Sequence, residues 1–461
     1  MKTKSKMVIA VVLVTSGFMG IKERQAWGKE GVAEKETLSL NQAQEVVDRA
    51  VVPCRRSLPT DTDNDGMPDN WEDDNGLDPY DPADAWFDAD TDNVYNLFEY
   101  QLGYEAYSPG EPPIATVGVG GADYTDIETA LDSVTDGVAI RVASGTYDCN
   151  YITIHPAVVM LQGGWDAGFS ERNLLTNKTI LDGGTDDEVF NFMFEEGNSS
   201  IILDGLTMTN GGGSFGAVGI HLYESVLLKM SIVNCNITSS LNSSLYGVIC
   251  LSTSDTSNCD FTMANTNISG NRGSGINSQL NDYAKARWRI LNSTVSENQE
   301  VYLNGYGLKA FTSQTSAMDV TIYNSIFWGN EKDDIEIMAS TMSSLTVSAD
   351  YSDIDVVDVL YGAVYNAGVH NINTNPLYAD EGNYHLSSTS PCLGKGIAGR
   401  GPAADLDGRA RPNPETDTVD IGCYEYYLPT PSPTPVDCSS IVEGFDDYNG
   451  GVRPPGWEFV G

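Results

Sequence analysis

Two twelve-residue stretches, DTDNDGMPDNWE at Asp61–Glu72 and DADTDNVYNLFE at Asp88–Glu99, place carboxylates at alternate positions and close on a glutamate. Alternate aspartates on a tight loop aim hard oxygens at one point, and a glutamate at position 12 can offer both of its own. That is the donor pattern of an EF-hand calcium loop. In the first stretch Asp61, Asp63 and Asp65 take positions 1, 3 and 5, and Gly66 makes the sharp turn. Met67 offers its carbonyl at 7, Asp69 stands at 9 and Glu72 at 12. In the second, Asp88, Asp90 and Asp92 are followed by the Val94 carbonyl at 7, Asn96 at 9 and Glu99 at 12. Asn93 replaces the glycine, being the other residue that enters left-handed backbone cheaply. The expected ligand is Ca2+.

The charge distribution agrees. The 461 residues carry a net charge of −40, and no Lys or Arg occurs between Arg56 and Arg141. Such a surface repels phosphate backbones, which argues against a nucleic-acid partner and for divalent counter-cations. Met1–Lys6 is basic and Met7–Gly20 apolar, a run too short to span a bilayer comfortably. It reads as a secretory signal over residues 1–28 with a cleavage site at Ala26-Trp27-Gly28, an uncleaved anchor being the alternative. No other stretch reads as a membrane span, so the expectation is a secreted or cell-surface protein. Residues 29–58 hold one amphipathic stretch, Leu38–Val52, capped by Ser39 and ended by Pro53.

The remaining chain is organised by a repeat. VTIYNSIFWGN at Val320–Asn330 recurs as WRILNSTVSEN at Trp288–Asn298, FTMANTNISGN at Phe261–Asn271 and MSIVNCNITSS at Met230–Ser240. Apolar residues alternate at the first and third positions. Asn234, Asn265, Asn292 and Asn324 share the fifth position, and Asn271, Asn298 and Asn330 the last. Strand, asparagine corner, strand cannot bury its inner face alone, whereas stacked units pair about 4.8 Å apart and share a core. The expected fold is all-β: a right-handed parallel β-helix over about 114–427, behind a small α-helical calcium-loop module at 59–107. A β-sandwich with accidental similarity is the alternative. GADYTDIETALD at Gly121–Asp132, with a capping box at Thr125 and Glu128, predicts a short helix plugging the first coil with Tyr124, Ile127, Ala130 and Leu131.

Residues Pro59–Gly103, including GLDPYDPADAWFDAD, resemble the thrombospondin type 3-like and dockerin-like calcium modules of secreted bacterial proteins. That resemblance implies a stiffening element, and so much unneutralised carboxylate predicts that the segment is disordered without calcium. ADYTDIETAL, GTY at Gly145–Tyr147, LQGGWD at Leu161–Asp166 and ILDG at Ile202–Gly205 look like the entry to pectin-lyase-like β-helices of bacterial surfaces. NINTNPLYADEGNYHLSSTSPCLGKG at Asn371–Gly396, DLDGRARP at Asp405–Pro412 and VDIGCYEY at Val419–Tyr426 look like the closing segment of the choice-of-anchor Q family. Its members are exported and surface-attached. Gly394 departs from that family's usual acidic residue. Cys392 and Cys423 fill positions that the family gives to small residues, which implies a disulfide between them, two buried thiols being the alternative. Cys250 and Cys259 bracket a polar loop and are the other candidate pair. LPTPSPTP at Leu428–Pro435 predicts an extended linker, with residues 437–461 similar to the opening of jelly-roll domains and expected to continue beyond Gly461.

Beyond calcium, the chemistry is sparse. Lys285, Arg287 and Arg289 alternate in KARWRI, so all three stand on the outer face of one strand, opposite Ala286, Trp288 and Ile290. A basic stripe on so acidic a chain is a candidate site for acidic sugars, or else a charged face that keeps sheets apart. Asp333-Asp334 reads as a solvated turn. His155, His221, His370 and His385 are scattered and read as structural. The sequence therefore points to an exported, calcium-binding β-helix acting in adhesion or glycan binding. A polysaccharide lyase or glycoside hydrolase and a structural spacer are the alternatives. An enzyme would bring carboxylates and a base together on one face of adjacent coils.

Overall fold

The computed structural model describes residues 59–427, apart from 109, 150, 154–156, 185–187, 213–215, 239–247, 302–303 and 381, and leaves the side chain of Cys250 undescribed. The expected signal, leader helix, proline-rich linker and final unit, as well as His155, lie outside the described residues.

The repeat folds as a parallel β-solenoid. Strand Asn258–Ala264 pairs in parallel with the preceding coil at Leu227–Val233 and with the next at Lys285–Leu291, which in turn pairs with Ala317–Tyr323. Like residues therefore sit over like: Ile232, Met263, Ile290 and Ile322 form one inward column, and Ile237, Ile268, Val295 and Phe327 another. All eight are fully buried. The long parallel ladders exclude the sandwich. Among the described strands the one antiparallel pair is Tyr378–Asp380 with Asn383–Leu386.

Asparagine makes the corner for the reason the repeat suggests. Asn234, Asn265, Asn292 and Asn324 have φ of 53°, 50°, 46° and 52°, a region asparagine tolerates better than most residues. Their amides also link coils. Asn265 Nδ2 donates to Asn234 Oδ1 at 2.8 Å, and Asn324 Nδ2 to Asn292 Oδ1 at 2.7 Å. The second column does the same, Asn271 to Asn298 at 3.1 Å and Asn298 to Asn330 at 2.9 Å.

Among the described residues three α-helices flank the strands: α1 at Asp69–Asn75, α2 at Asn96–Leu102 and α3 at Ile127–Ser133. In α3 the cap is Asp126 rather than Thr125: its carboxylate accepts from the Thr129 N–H at 2.8 Å, doing the work expected of the Thr125–Glu128 box. Ile127, Ala130 and Leu131 enter the solenoid core as expected.

From Asn371 onward the chain does not cross the end of the stack. It turns back along the asparagine corners, so Tyr361 of the last coil, in register with buried Ala339, is left 86% exposed. Ile397 exchanges hydrogen bonds with the Asn324 side chain at 2.7 and 2.8 Å, and Arg411 reaches Asn265 Oδ1 at 3.2 Å. The two expected disulfides are absent. Cys392 and Cys423 are separate buried thiols: Cys392 Sγ donates to Asp353 Oδ2 and Cys423 Sγ to Thr294 Oγ1, each at 3.3 Å. Cys259 is a free thiol inside the solenoid core, so it closes no loop with Cys250.

Candidate metal centre

The two acidic loops, α1 and α2 lie on the outer face of the solenoid's large sheet. Met67, Trp86, Leu97, Phe98 and Leu102 bury an apolar strip of outward residues that rises coil by coil: Met160, Ile202, Val233, Ala264 and Leu291. Polar contacts frame the strip. Lys229 Nζ sits 3.6 Å from the Tyr100 ring centre, Ser231 Oγ donates to Gln101 Oε1 at 2.9 Å, and Asn64 Nδ2 donates to Thr321 Oγ1 at 3.0 Å. At the second loop Arg141 donates to the Asp92 carbonyl and Gln162 to the Asn93 carbonyl, both at 2.9 Å.

The two loops share one internal geometry. The Asp65 N–H donates to Asp61 Oδ1 at 3.1 Å and the Met67 N–H to Asp65 Oδ1 at 2.7 Å. The Asp92 N–H donates to Asp88 Oδ1 at 3.1 Å and the Val94 N–H to Asp92 Oδ1 at 2.8 Å. Gly66, at φ 114°, and Asn93, at φ 72°, make the turns. Carboxylate oxygens of Asp61, Asp63 and Asp65 gather within 4.8 Å of one another, as do those of Asp88, Asp90 and Asp92. A third gathering joins Asp65 and Glu72 to Asp84. Asp84 opens a short 3-10 turn between the loops, and nothing in a twelve-residue pattern pointed to it.

These groups are costly as they stand. Asp63 Oδ2, Asp65 Oδ2, both oxygens of Glu72, Asp84 Oδ1, both oxygens of Asp90, Asn96 Oδ1 and both oxygens of Glu99 are buried without a hydrogen-bond donor. Burial, reinforced by neighbouring carboxylates, pushes Asp63 up to about 7, Asp65 to about 9, and Glu72 and Glu99 to about 8. The same causes raise Asp92 to about 6. A buried carboxylate without a partner is unfavourable by several kcal/mol as an order of magnitude, and a divalent cation removes that penalty. The donors are all oxygens, which suits a hard ion. Asp61, Asp69 and Asp88 differ from the other expected ligands in having both carboxylate oxygens partnered. Asp69 accepts from the Thr62 N–H and Oγ1 at 2.7 and 2.8 Å, Asp61 from the Asp65 N–H and from Arg287 and Arg289, and Asp88 from the N–H groups of Asp92 and Asn93. Met67 and Val94, the carbonyl positions, bury their side chains in the core under the module.

The basic stripe has a different role from the one expected. Arg287, Arg289 and Lys285 do point outward, but the first two point at the module. Arg289 Nη2 lies 2.7 Å and Arg287 Nη1 3.2 Å from Asp61 Oδ2, and Arg289 Nη1 lies 2.5 Å from Asp260 Oδ1. The Arg289 side chain is 1% exposed, so it offers no donor to a glycan in solution. Burial works against its charge, yet Asp260 and Asp61 raise its pKa above the ordinary value. Arg400, from the returning C-terminal segment, adds a donation to the Asp63 carbonyl at 3.1 Å. Lys285 alone stays exposed.

Asp333-Asp334 is not a solvated turn. Asp334 is buried and its carboxylate accepts from Asn330 Nδ2 at 2.7 Å and the Val356 N–H at 3.2 Å, ending the asparagine column. Asp333 gathers with Glu336 and Asp358 within 4.8 Å on the outer face of the last coils. Lys309, one coil earlier in register with Glu336, places Nζ 3.2 Å from Glu336 Oε1 and 4.5 Å from the Tyr306 ring centre. Burial, with Asp358 and Glu336 nearby, raises the Asp333 pKa. The described histidines form no cluster of their own: His370 pairs with Asp350 at 3.1 Å, His385 with Asp407 at 2.7 Å, and His221 is buried.

No family model matches this chain, and no curated protein does. Among solved structures, the chain is similar to pectate lyase Pel9A, at 12% identity and a TM-score of 0.35, over 68% of this chain and 97% of that one. Among the described residues, no helix is long and apolar enough to cross a membrane.

Proposed function

We propose that this chain is a calcium-dependent β-solenoid protein of the cell exterior that binds polysaccharide, its calcium module clamped along the outer sheet. The observation that carries the calcium reading is the set of buried, donorless oxygens at positions 3 and 12 of both loops, Asp63, Glu72, Asp90 and Glu99. Oxygen-only donors, a position-12 glutamate with both oxygens unpaired, and net charge −40 favour Ca2+ over ions that prefer nitrogen or sulfur. The basic start and apolar run of Met1–Gly20 support export to a calcium-rich compartment. Calorimetric titration of chelator-treated protein with Ca2+ is expected to show two bound ions, and an absence of heat and of any ion by mass spectrometry would sink this reading.

For polysaccharide, the support is the group of Tyr306, Lys309, Asp333, Glu336 and Asp358, an aromatic ring among charged side chains on adjacent coils. Such charged groups bind sugars by direct hydrogen bonds and by cation bridges to uronates. The same group favours a second reading as a lyase. Lys309 as the neutral amine would take the C5 proton of a uronate, and the C4–O4 bond would break with its electron pair on O4. O4 would gain a proton from water as that chain departs, and a C4–C5 double bond would remain on the other. A glycan array run beside an absorbance assay for unsaturated products separates the readings. Retention without products supports binding alone, and products lost in Lys309→Ala support cleavage. Neither retention nor products would leave a structural spacer.

A further inference from the structure

The twelve-residue pattern assigns each loop its own ligands. We infer that Asp84, which lies in neither loop, is a ligand of the first calcium site and the link through which the two sites bind cooperatively. The inference rests on the calcium reading above and adds to it a residue and a coupling.

Three observations meet at Asp84. Its carboxylate gathers with those of Asp65 and Glu72, all three residues being buried. One of its oxygens is fixed, Oδ2 accepting from the Asp78 N–H at 2.8 Å, while the other, Oδ1, is buried with no donor. Glu72 meets it with two oxygens equally unpaired. A carboxylate with one oxygen tied down and the other free among acidic neighbours is oriented for a cation, not for the fold. The main chain of the same residue faces the second loop. Asn96 Nδ2 donates to the Asp84 carbonyl at 2.8 Å, and the Asn96 N–H donates to the Phe87 carbonyl at 2.8 Å. Asn96 stands at position 9 of the second loop, and its remaining side-chain atom, Oδ1, is buried and unpaired.

One turn of 3-10 helix, Asp84–Trp86, therefore presents a carboxylate to the first site and holds the amide that orients a donor at the second. Trp86 buries in the core beneath, so the turn cannot follow one site without shifting the other. An ion in the first site that draws in Asp84 fixes Asn96 before the second ion arrives. The ordering cost is then met once, which is positive cooperativity.

The experiment is a calorimetric Ca2+ titration of the full chain, using wild type, Asp84→Asn, Asn96→Asp and, as control, Asp81→Asn, whose residue is exposed. Wild type is expected to bind two ions cooperatively. Asp84→Asn is expected to weaken one site by about 10- to 100-fold and leave the other bound without cooperativity, following the usual cost of disturbing a metal site. Asn96→Asp keeps an oxygen donor but removes the amide, so two ions are expected with cooperativity lost. Asp81→Asn is expected to match wild type. Far-ultraviolet circular dichroism of each variant checks that the solenoid is folded. Wild-type behaviour in Asp84→Asn, or retained cooperativity in Asn96→Asp, would overturn the inference while leaving the calcium reading intact. No binding by wild type would instead remove the calcium reading.

Discussion

Arg289 and Asp61 form a buried ion pair, Nη2 to Oδ2 at 2.7 Å, with the two side chains 1% and 2% exposed. One partner belongs to a strand of the solenoid and the other to position 1 of the first acidic loop. An acidic-loop carboxylate is thus also the bolt that fixes the loop to the sheet, and Asp260 on the neighbouring coil completes the charge balance from below.

Truncating Arg289 removes the shorter of the two cation contacts to Asp61, leaving it to the partly exposed Arg287 at 3.2 Å, and leaves Asp260 with Arg287 at 3.9 Å. Arg289→Ala is expected to destabilise the protein by about 3–5 kcal/mol, the usual cost of breaking a buried pair from one side. Asp61→Asn in the same background should cost less than it does alone. Denaturant unfolding of both single variants and the double variant reads the coupling, and strictly additive losses would contradict the pairing.

Calcium removal should loosen the module from the sheet and expose Met160, Ile202, Val233 and Leu291, which face outward and pack against the module. A hydrophobic dye is expected to bind in chelator and not in calcium. Saturating one site at 100 times its Kd adds about 2.7 kcal/mol to the folded state, so the melting temperature should fall clearly on chelation. Equal dye binding in both conditions would count against the clamp.

The pH dependence should reverse with calcium. Asp65, Glu72 and Glu99 have folded pKa values raised to about 9, 8 and 8 by burial, above their unfolded values near 4. In chelator the folded state therefore holds more protons, and stability present at low pH is lost as pH rises through about 8. With calcium bound, the ionised carboxylates are the ligands and that loss disappears. Melting curves at pH 5 and pH 8.5 are expected to show a larger calcium effect at pH 8.5, and a larger effect at pH 5 would refute the assignment.

The asparagine columns should contribute to stability as buried hydrogen-bonded ladders, not as ordinary corner residues. Asn298 donates to Ile268 O and Asn330 Oδ1 and accepts from Asn271, all inside the stack. Asn298→Ala strands at least one buried partner, at about 1–3 kcal/mol for each group left unsatisfied. Thermal unfolding checks this. A change within about 0.5 kcal/mol, typical of an ordinary surface position, would mean the ladder contributes little.

The repeat was legible because each coil repeats the same local conflict between apolar alternation and a polar corner. Asn234, Asn265, Asn292 and Asn324 could be aligned without coordinates. The acidic loops were legible because their carboxylates are close in sequence. What stayed hidden depends on contacts more than 200 residues apart. The Arg287–Arg289 stripe read as a free surface because nothing local says that Asp61 lies on it. One signal was present: position four of the repeat is Val233, Ala264, Leu291 and Tyr323, apolar residues that alternation turns outward, toward something that must cover them. Asp84 gave no such sign, since its role comes from the turn between the loops. The resemblance that implied a Cys392–Cys423 bond concerned residue size at two positions, and both thiols found oxygen acceptors instead.

The most direct measurement is hydrogen–deuterium exchange on the full chain with calcium and with chelator. Calcium is expected to protect residues 59–103 and, on the solenoid, the strands carrying Val233, Ala264 and Arg289, while the strands carrying Ile268 and Val295, in the smaller parallel sheet, exchange alike in both. Identical exchange across residues 59–103 in the two conditions would contradict a calcium-held clamp.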